Sequence, residues 1–160
     1  MKDIIGNNKV VTLGSIKKIF YVPVDFITSE PDILNHYLKD DYEILEFFDE
    51  AVFDKDSAKL QIQTPDNDNK LFKYSLVATL SNDAQNIDIL FQKLKQKSFV
   101  VFAADANGVI RVLGRKNCGA NFDFSFNTKD KIKNTAQYEY SFTWESPCIA
   151  PFSLQDFDIC

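Results

Sequence analysis

The sequence predicts a mainly β fold, a β-sandwich or barrel of antiparallel strands, with one packed α-helix at about residues 83–96. Three patterns predict this class. An apolar run at 99–102 leads into the turn sequence DANG at 105–108 and a return strand that ends at Gly114; Asn-Gly is a strong hairpin signal because both residues tolerate positive φ. Two later segments alternate aromatic and polar residues, as half-buried strands do. One segment instead repeats apolar residues at helical spacing.

Composition bounds the classes of function. A length of 160 residues, with 45% hydrophobic and 26% charged residues, predicts a single domain over residues 1–160. The net charge is −5 and no basic patch tracks a phosphate backbone, so we expect no sequence-specific nucleic-acid binding. No apolar run reaches membrane-spanning length, and the first residues lack the apolar core of a signal peptide, so no membrane partner is expected. Three cysteines without paired spacing argue against a disulfide scaffold or a zinc site and favour a reducing cytoplasm.

The first third of the chain predicts an arm, a strand and two segments of less regular pattern. Residues 1–15 are expected to form a flexible N-terminal arm or a short strand. Residues 16–24, IKKIFYVPV, predict a strand whose end Pro23 places at an edge or a bend. Residues 32–38 are consistent with one or two helical turns. Residues 41–53 fit both an alternating strand and a helical period, and we favour the strand.

A hairpin and the helix follow. The polar cluster PDNDN at 65–69 separates two alternating segments, at 58–64 and 71–80, and predicts the turn of a hairpin with one face in water. The helix rests on one apolar stripe at positions i, i+3, i+4 and i+7, which is Ile87, Leu90, Phe91 and Leu94. Residues 81–83, Ser-Asn-Asp, are N-cap candidates, and the lysines at 93, 95 and 97 suit the negative C-terminal end of a helix.

Two aromatic strands follow the central hairpin, at 120–126 and 137–144. Each places its aromatic residues on one face: Phe122, Phe124 and Phe126 in the first, and Tyr138, Tyr140, Phe142 and Trp144 in the second. Because two strict alternations flank a polar loop, we predict an antiparallel pair with a cross-strand aromatic ladder. The interleaved residues are acidic or hydroxylic, so a buried core is favoured over a base-stacking platform. Residues 152–160 are expected to form a C-terminal tail.

No catalytic, cofactor-binding or metal site is predicted. Nucleophilic catalysis would have to use His36, the only histidine, which we interpret as a surface or packing residue. Cys118 has no neighbouring histidine or helix start to activate its thiol. Acidic clusters at 49–56 and 66–68 lack the sixth-position glycine and twelfth-position glutamate of a helix-loop-helix calcium site, so turn chemistry and solvated surface are favoured. The five glycines form no phosphate-binding loop.

The polar loop between the aromatic strands is the one predicted contact surface. It carries Lys129, Lys131 and Lys133, with Ile132 among them, against a single acidic residue, while the rest of the chain is acidic. A basic, protruding loop on an acidic body suits contact with a neighbouring copy or another partner. A merely solvated loop is the alternative interpretation.

The second half of the chain, about residues 72–151, resembles tail-tube-like structural proteins of bacteriophages and prophages, of the type found in gut Bacteroidetes. The resemblance lies in the order of four pieces: the helix at 87–94, FVVFAADANGVIRVLG at 99–114, GANFDFSFNT at 119–128 and YEYSFTWESP at 138–147. It is a likeness of elements and turns and includes no catalytic motif.

The resemblance implies a non-enzymatic structural subunit without a cofactor, located in the virion tail and, during assembly, in the host bacterial cytoplasm. It implies a β-sandwich or barrel flanked by a helix, copies of the chain in a hexameric ring whose inner strands join into one barrel, and contacts with other tail proteins. Rings would stack through loops such as the one at 127–135, which we call the lysine loop, to form a tube for DNA. An edge strand such as residues 16–22 would then pair across subunits.

Two other functions are weighed beside this one. A small β-barrel module would bind an apolar ligand in a cavity among Phe99, Phe102, Phe122, Phe124, Tyr140 and Phe142. An enzyme acting through acidic residues alone, such as a glycosidase pair, is disfavoured because the chain is short and offers no candidate acid in an apolar pocket.

Overall fold

The structure, a computed structural model, describes residues 10–13, 16–45, 48–65, 70–81, 85–127 and 137–155. The strands of the first half are β1 (Val10–Leu13), β2 (Ile16–Pro23), β3 (Ile27–Ser29), β4 (Ile33–Leu34), β5 (Tyr37–Leu38), β6 (Glu43–Ile44), β7 (Asp49–Glu50) and β8 (Lys59–Gln63). Those of the second half are β9 (Phe72–Ser81), β10 (Ser98–Asp105), β11 (Ile110–Leu113), β12 (Ala120–Asn127), β13 (Gln137–Ser146) and β14 (Phe152–Ser153). The described α-helix, α1, spans Gln85–Leu94, and a 3-10 turn spans Val24–Phe26. The predicted mainly β class with one packed helix is confirmed.

Most of the strands belong to one mixed, mainly antiparallel sheet. Its order is β1-β8-β9-β13-β12-β10-β11-β14-β5-β4, with β2 pairing β10 and β7 beside that path, while β3 and β6 pair separately. The β14–β5 pair is parallel. Within the described strands, β1 and β4 stand at the two ends of this order and do not pair with each other, so no closed barrel is found there.

The sheet turns at β10. On one side β10 pairs with β2, and on the other it pairs with β12 at Ser98–Phe99 and then with β11 from Val101 onward. Because the partner changes at this point, the aromatic strands fold over β2 and β10 and share a core with them. The ring of Phe142 accordingly lies 5.7 Å from that of Tyr21 and 5.9 Å from that of Phe99, between ring centroids.

Alternate residues of β10 belong to two different cores. One set packs with the aromatic strands and the other packs with the segments that follow β2; the sets are Phe99, Val101 and Ala103, and Val100, Phe102 and Ala104. Ile27, Leu38 and Tyr42 cover the second core. Burial on both faces explains why this strand reads as a continuous apolar run rather than an alternating one.

The predicted aromatic ladder is confirmed. β12 and β13 pair antiparallel, and the facing residues are Phe122 with Phe142, Phe124 with Tyr140, and Phe126 with Tyr138. The predicted hairpin before the helix is also confirmed, because β8 and β9 pair antiparallel and β9 then pairs with β13. Every second residue of β13, from Tyr138 to Ser146, is buried. One face of these strands therefore forms the larger core, as the alternation predicts.

The turn between β10 and β11 depends on two residues, Asp105 and Gly108, which act in different ways. Gly108 has a φ of +80°, whereas Asn107 does not have positive φ. The amide of Gly108 donates to the carbonyl oxygen of Asp105 at 3.2 Å. The Asp105 carboxylate Oδ1 accepts from the amides of Asn107 at 2.8 Å and Val109 at 2.9 Å. Asp105 and Gly108 together thus close the hairpin, the first by accepting hydrogen bonds and the second by its φ.

The prediction of helical turns at 32–38 is wrong. The segment is a hairpin of β4 and β5, and its two loop residues, Asn35 and His36, have φ values of 51° and 69°. Two consecutive positive φ values give the twist that a tight hairpin requires and that a right-handed helix excludes. The hairpin docks through the parallel pairing of Tyr37 with Phe152, a contact that local pattern does not encode.

Other predicted boundaries change. Of the two forms expected for 1–15, the short strand is present as β1, which pairs with β8, and the rest of that range lies outside the described residues. The expected tail at 152–160 begins with β14, which pairs with β11 and β5, while 156–160 lie outside the description. The strand favoured at 41–53 is present only as the two-residue strands β6 and β7. Two of the three N-cap candidates, at 82 and 83, also lie outside it.

The expectation that residues 16–22 form an edge strand is also corrected. β10 pairs along one side of β2, and β7 pairs on the other side at Phe20 and Tyr21. The amide of Ala51 extends this cover by donating to the carbonyl oxygen of Ile19 at 2.8 Å. The chain bends after Pro23 into the 3-10 turn, as expected for a strand that ends at proline.

Candidate functional site

The predicted apolar stripe of α1 faces the aromatic strands. Phe91 is the anchor: it is 5% exposed, and its ring centroid lies 5.3 Å from those of Phe122 and Tyr140 and 5.4 Å from those of Phe124 and Tyr138. Aromatic pairs at these separations stabilise a core beyond the area that they bury. The helix is therefore attached through one ring inserted among four others.

A cavity of about 230 Å³ lies beside this anchor. All four stripe residues of α1 line one of its walls: Ile87, Leu90, Phe91 and Leu94. Phe122, Tyr140 and Phe142 of the aromatic strands line the facing wall. The remaining wall includes Tyr21 of β2 and residues 50–52. The pairing of β7 with β2 brings these residues beside Tyr21. We call this space the helix pocket.

The helix pocket corrects the predicted position of an apolar cavity. Phe122, Tyr140 and Phe142 line it, as expected, whereas Phe124 of the same predicted set does not. Phe99 and Phe102 are fully buried instead, and Phe102 belongs to the second core, on the other face of β10. A β-strand sends successive side chains to opposite faces, so these two phenylalanines cannot line one cavity.

The polar groups of the helix pocket are few and are concentrated at one side. The Tyr140 hydroxyl donates to the carbonyl oxygen of Val52 at 2.8 Å, and burial raises the pKa of this phenol. Burial and the nearby charge of Asp49 raise the pKa of Tyr21 to about 12. Glu50 also lines the pocket, but it pairs with Phe20, and its carboxylate lies 3.6 Å from the Lys18 ammonium on the second-core face of β2. The pocket thus has a mainly aromatic interior, and the charge of Asp49 acts on one of its walls.

A second surface lies at the end of the sheet and is formed by the β4–β5 hairpin, residues 33–38, which we call the edge hairpin. Ile33, Leu34 and Tyr37 are 45%, 60% and 46% exposed. The Tyr37 ring packs on that of Phe152 at 5.4 Å between centroids, and the Arg111 guanidinium lies 4.7 Å from the Phe152 ring centroid on the other side. The edge hairpin is therefore held in place while its apolar side chains face solvent.

The residues singled out from the sequence do not converge on one catalytic arrangement in the described structure. His36 is exposed in the turn of the edge hairpin, where its carbonyl oxygen accepts from the amide of Phe152 at 2.8 Å. Cys118 is exposed, and its carbonyl oxygen accepts from Trp144 Nε1 at 2.9 Å. Both residues use their backbone to join elements. Lys129, Lys131, Ile132 and Lys133 lie outside the described residues.

The acidic residues of 49–56 take part in local contacts. The Asp54 carboxylate accepts from the Ser81 hydroxyl at 2.6 Å and from the Ser81 amide at 3.0 Å. Asp56 pairs with the Lys17 ammonium at 3.0 Å, which lowers the pKa of that carboxyl. In the described ranges, no group of three or more His, Cys, Asp or Glu side chains is placed to hold a metal ion. The cluster at 66–68 lies outside them.

Sequence reasoning missed one wall of the helix pocket and the whole edge hairpin. The stripe of α1 and the aromatic ladder predicted two walls. Ala51 and Val52 enter only because β7 pairs with β2, and the segment around them had no single periodicity. The Asn35-His36 turn carries a weak signal, since asparagine and histidine are among the residues enriched at positive φ.

None of the described helices is both long and apolar enough to cross a membrane. No family model, curated protein or solved structure matches the chain.

Proposed function

We propose that the chain is a non-enzymatic structural subunit of a phage or prophage tail, a tail-tube or minor tail component that assembles with copies of itself and with other tail proteins. The order of elements supports this. The helix, the DANG hairpin and the paired aromatic strands of the resemblance occur in sequence as α1, β10–β11 and β12–β13. The sheet, folded over a shared core, is compatible with the β-sandwich of such subunits. On this proposal the protein resides in the virion tail and, during assembly, in the host cytoplasm.

The edge hairpin is the observation that carries the proposal. Proteins usually protect open sheet edges with charges, prolines or bulges. Here the final strand of the described sheet presents Ile33 and the 60% exposed Leu34. An exposed apolar edge of this kind suits a sheet that is extended by a strand from another chain. Because β4 has only two residues, most of the stabilisation would come from burying these side chains.

The two ends of the sheet are different surfaces, β1 at one and β4 at the other. A contact between unlike surfaces is heterologous, and it closes into a ring when the rotation between subunits allows. The lysine loop remains a second predicted contact, in which Lys129, Lys131, Ile132 and Lys133 would meet an acidic surface of a neighbouring subunit. The net charge of −5 supplies such surfaces.

The test is the mass of the purified protein in solution, measured by sedimentation over a wide concentration range, with negative-stain imaging of the most concentrated sample. We expect association into rings of about six subunits, the number that the resemblance implies. Leu34→Lys places a charge on the edge hairpin and is expected to weaken association at least tenfold. Ile89→Lys is the matched control, because Ile89 is 49% exposed on α1, which packs on β12, and this variant should associate like the wild type.

A strict monomer at every concentration, without rings, would contradict self-assembly. If Leu34→Lys and Ile89→Lys change association equally, the proposal of self-association still stands. The edge hairpin is then not part of the interface. Reversal of charge by Lys131→Glu then tests the lysine loop, and on our proposal it weakens association more at low ionic strength than at high.

A further inference from the structure

We propose that the helix pocket is a binding site for a small, uncharged aromatic compound of one or two rings. Nothing in this inference requires assembly into a tail. It rests on the size of the cavity, the chemistry of its walls and the placement of charge at its mouth.

The size of the helix pocket exceeds that of an ordinary packing defect. Protein interiors are close-packed, and voids larger than a water molecule are few. An engineered apolar cavity of about 150 Å³ stays dry and binds benzene. The helix pocket is larger, at about 230 Å³, and therefore has room for a second fused ring. It is smaller than the cavities that hold most drug-sized ligands, about 300–1,000 Å³, so a long acyl chain is not the expected ligand.

The walls select an apolar ring. Five aromatic side chains line the helix pocket: Tyr21, Phe91, Phe122, Tyr140 and Phe142. Their rings differ in orientation: Phe122 and Phe142 meet at an interplanar angle of 62°, and Phe122 and Tyr140 at 31°. A bound ring would have partners for stacked and edge-to-face contact. The Tyr140 hydroxyl is already satisfied by Val52, so it places no polar demand on the ligand.

The mouth disfavours anions. Asp49 pairs with Tyr21 across the strands, and its charge is close enough to oppose ionisation of that phenol. A carboxylate on the ligand would therefore meet like charge. Leu90, which is 45% exposed, and Val52, which is 68% exposed, leave an apolar entrance beside these groups.

Indole is the probe, and the methyl resonances of the purified protein are the readout. We expect saturable shifts confined to methyl groups around the helix pocket, those of Ile87, Leu90 and Val52. Indole-3-carboxylate has the same rings with a negative charge and is expected to bind at least tenfold more weakly. Asp49→Asn should narrow that difference without weakening the binding of indole.

Ala51→Leu tests the location. Ala51 is half-buried and lines the pocket, so three added carbon atoms occupy ligand space, and we expect the dissociation constant for indole to rise at least tenfold. Ala106→Leu makes the same change at an exposed turn position and should alter it less than twofold. If Ala51→Leu does not fold, Leu90→Trp at the entrance makes the comparison, with Ile89→Trp on the same helix as its control.

Two results would overturn the proposal. The first is a set of methyl shifts that does not saturate with indole, or a dissociation constant for indole that neither Ala51→Leu nor Leu90→Trp changes. The second is a set of pocket shifts that follows protein concentration in the absence of indole, which would assign the helix pocket to a side chain from a second copy.

Discussion

Replacement of Gly114 by alanine tests whether the close approach of backbones beside β10 requires a glycine. This glycine follows β11 with a φ of +95°, and a Cβ atom at this position would lie 2.5 Å from the Phe99 carbonyl oxygen and 3.0 Å from the Ala120 amide nitrogen. Both neighbours are backbone atoms of paired strands, so neither can move without disturbing the sheet. In Gly114→Ala the positive φ costs about 1–2 kcal/mol, and the overpacking adds about 1–3 kcal/mol. These two costs sum to about 2–5 kcal/mol of destabilisation, before a gain of about 0.4–1 kcal/mol from the less flexible unfolded chain is subtracted.

Gly108→Ala is the control, because Gly108 has a φ of +80° but a Cβ there would meet nothing within 4 Å. It shares the φ cost and the gain of about 0.4–1 kcal/mol from a less flexible unfolded chain. The difference between the two variants, about 1–3 kcal/mol, therefore isolates the close approach. Urea unfolding followed by the fluorescence of the single, buried Trp144 measures it as a shift in midpoint at constant slope. Equal midpoints for the two variants would refute the reasoning.

Three further changes test the turn, the helix anchor and the buried phenols. Asp105→Ala removes the acceptor of two amides, so we expect a loss of about 1–3 kcal/mol in the free energy of unfolding; Asp105→Asn, which keeps an acceptor, should lose less, and equal losses would contradict this role. Phe91→Ala is expected to cost about 3–5 kcal/mol, whereas a urea midpoint near that of the wild type would show that the helix does not depend on this ring. Burial raises the pKa of Tyr21 to about 12, so the folded state retains its proton above the unfolded value of about 10. The resulting stabilisation is fully present below pH 10 and is lost between about pH 10 and 12, by up to about 1.4 kcal/mol per pH unit. Urea titrations from pH 8 to 11 should show this fall, and Tyr21→Phe should make it shallower; an unchanged slope in the variant would assign the fall to other groups.

The parts of the fold that the sequence predicts are those in which one side-chain period meets one buried face. The alternation from Tyr138 to Trp144 predicts β13 because each aromatic residue enters the same core. The spacing of Ile87, Leu90, Phe91 and Leu94 predicts α1 and one wall of the helix pocket for the same reason. Asp105 and Gly108 predict the central hairpin because their effects act within the turn itself.

Only the tertiary structure decides the remaining features, because they depend on pairings between segments far apart in the chain. The edge hairpin docks through the pairing of Tyr37 with Phe152, so its local pattern resembled a helical turn. Ala51 and Val52 reach the helix pocket only because β7 pairs with β2. The composition and periodicity of this chain therefore determine a β-rich core with one helix. Long-range strand pairing decides where that core leaves an open edge and an unfilled space, since neither arises from the contacts of a single segment.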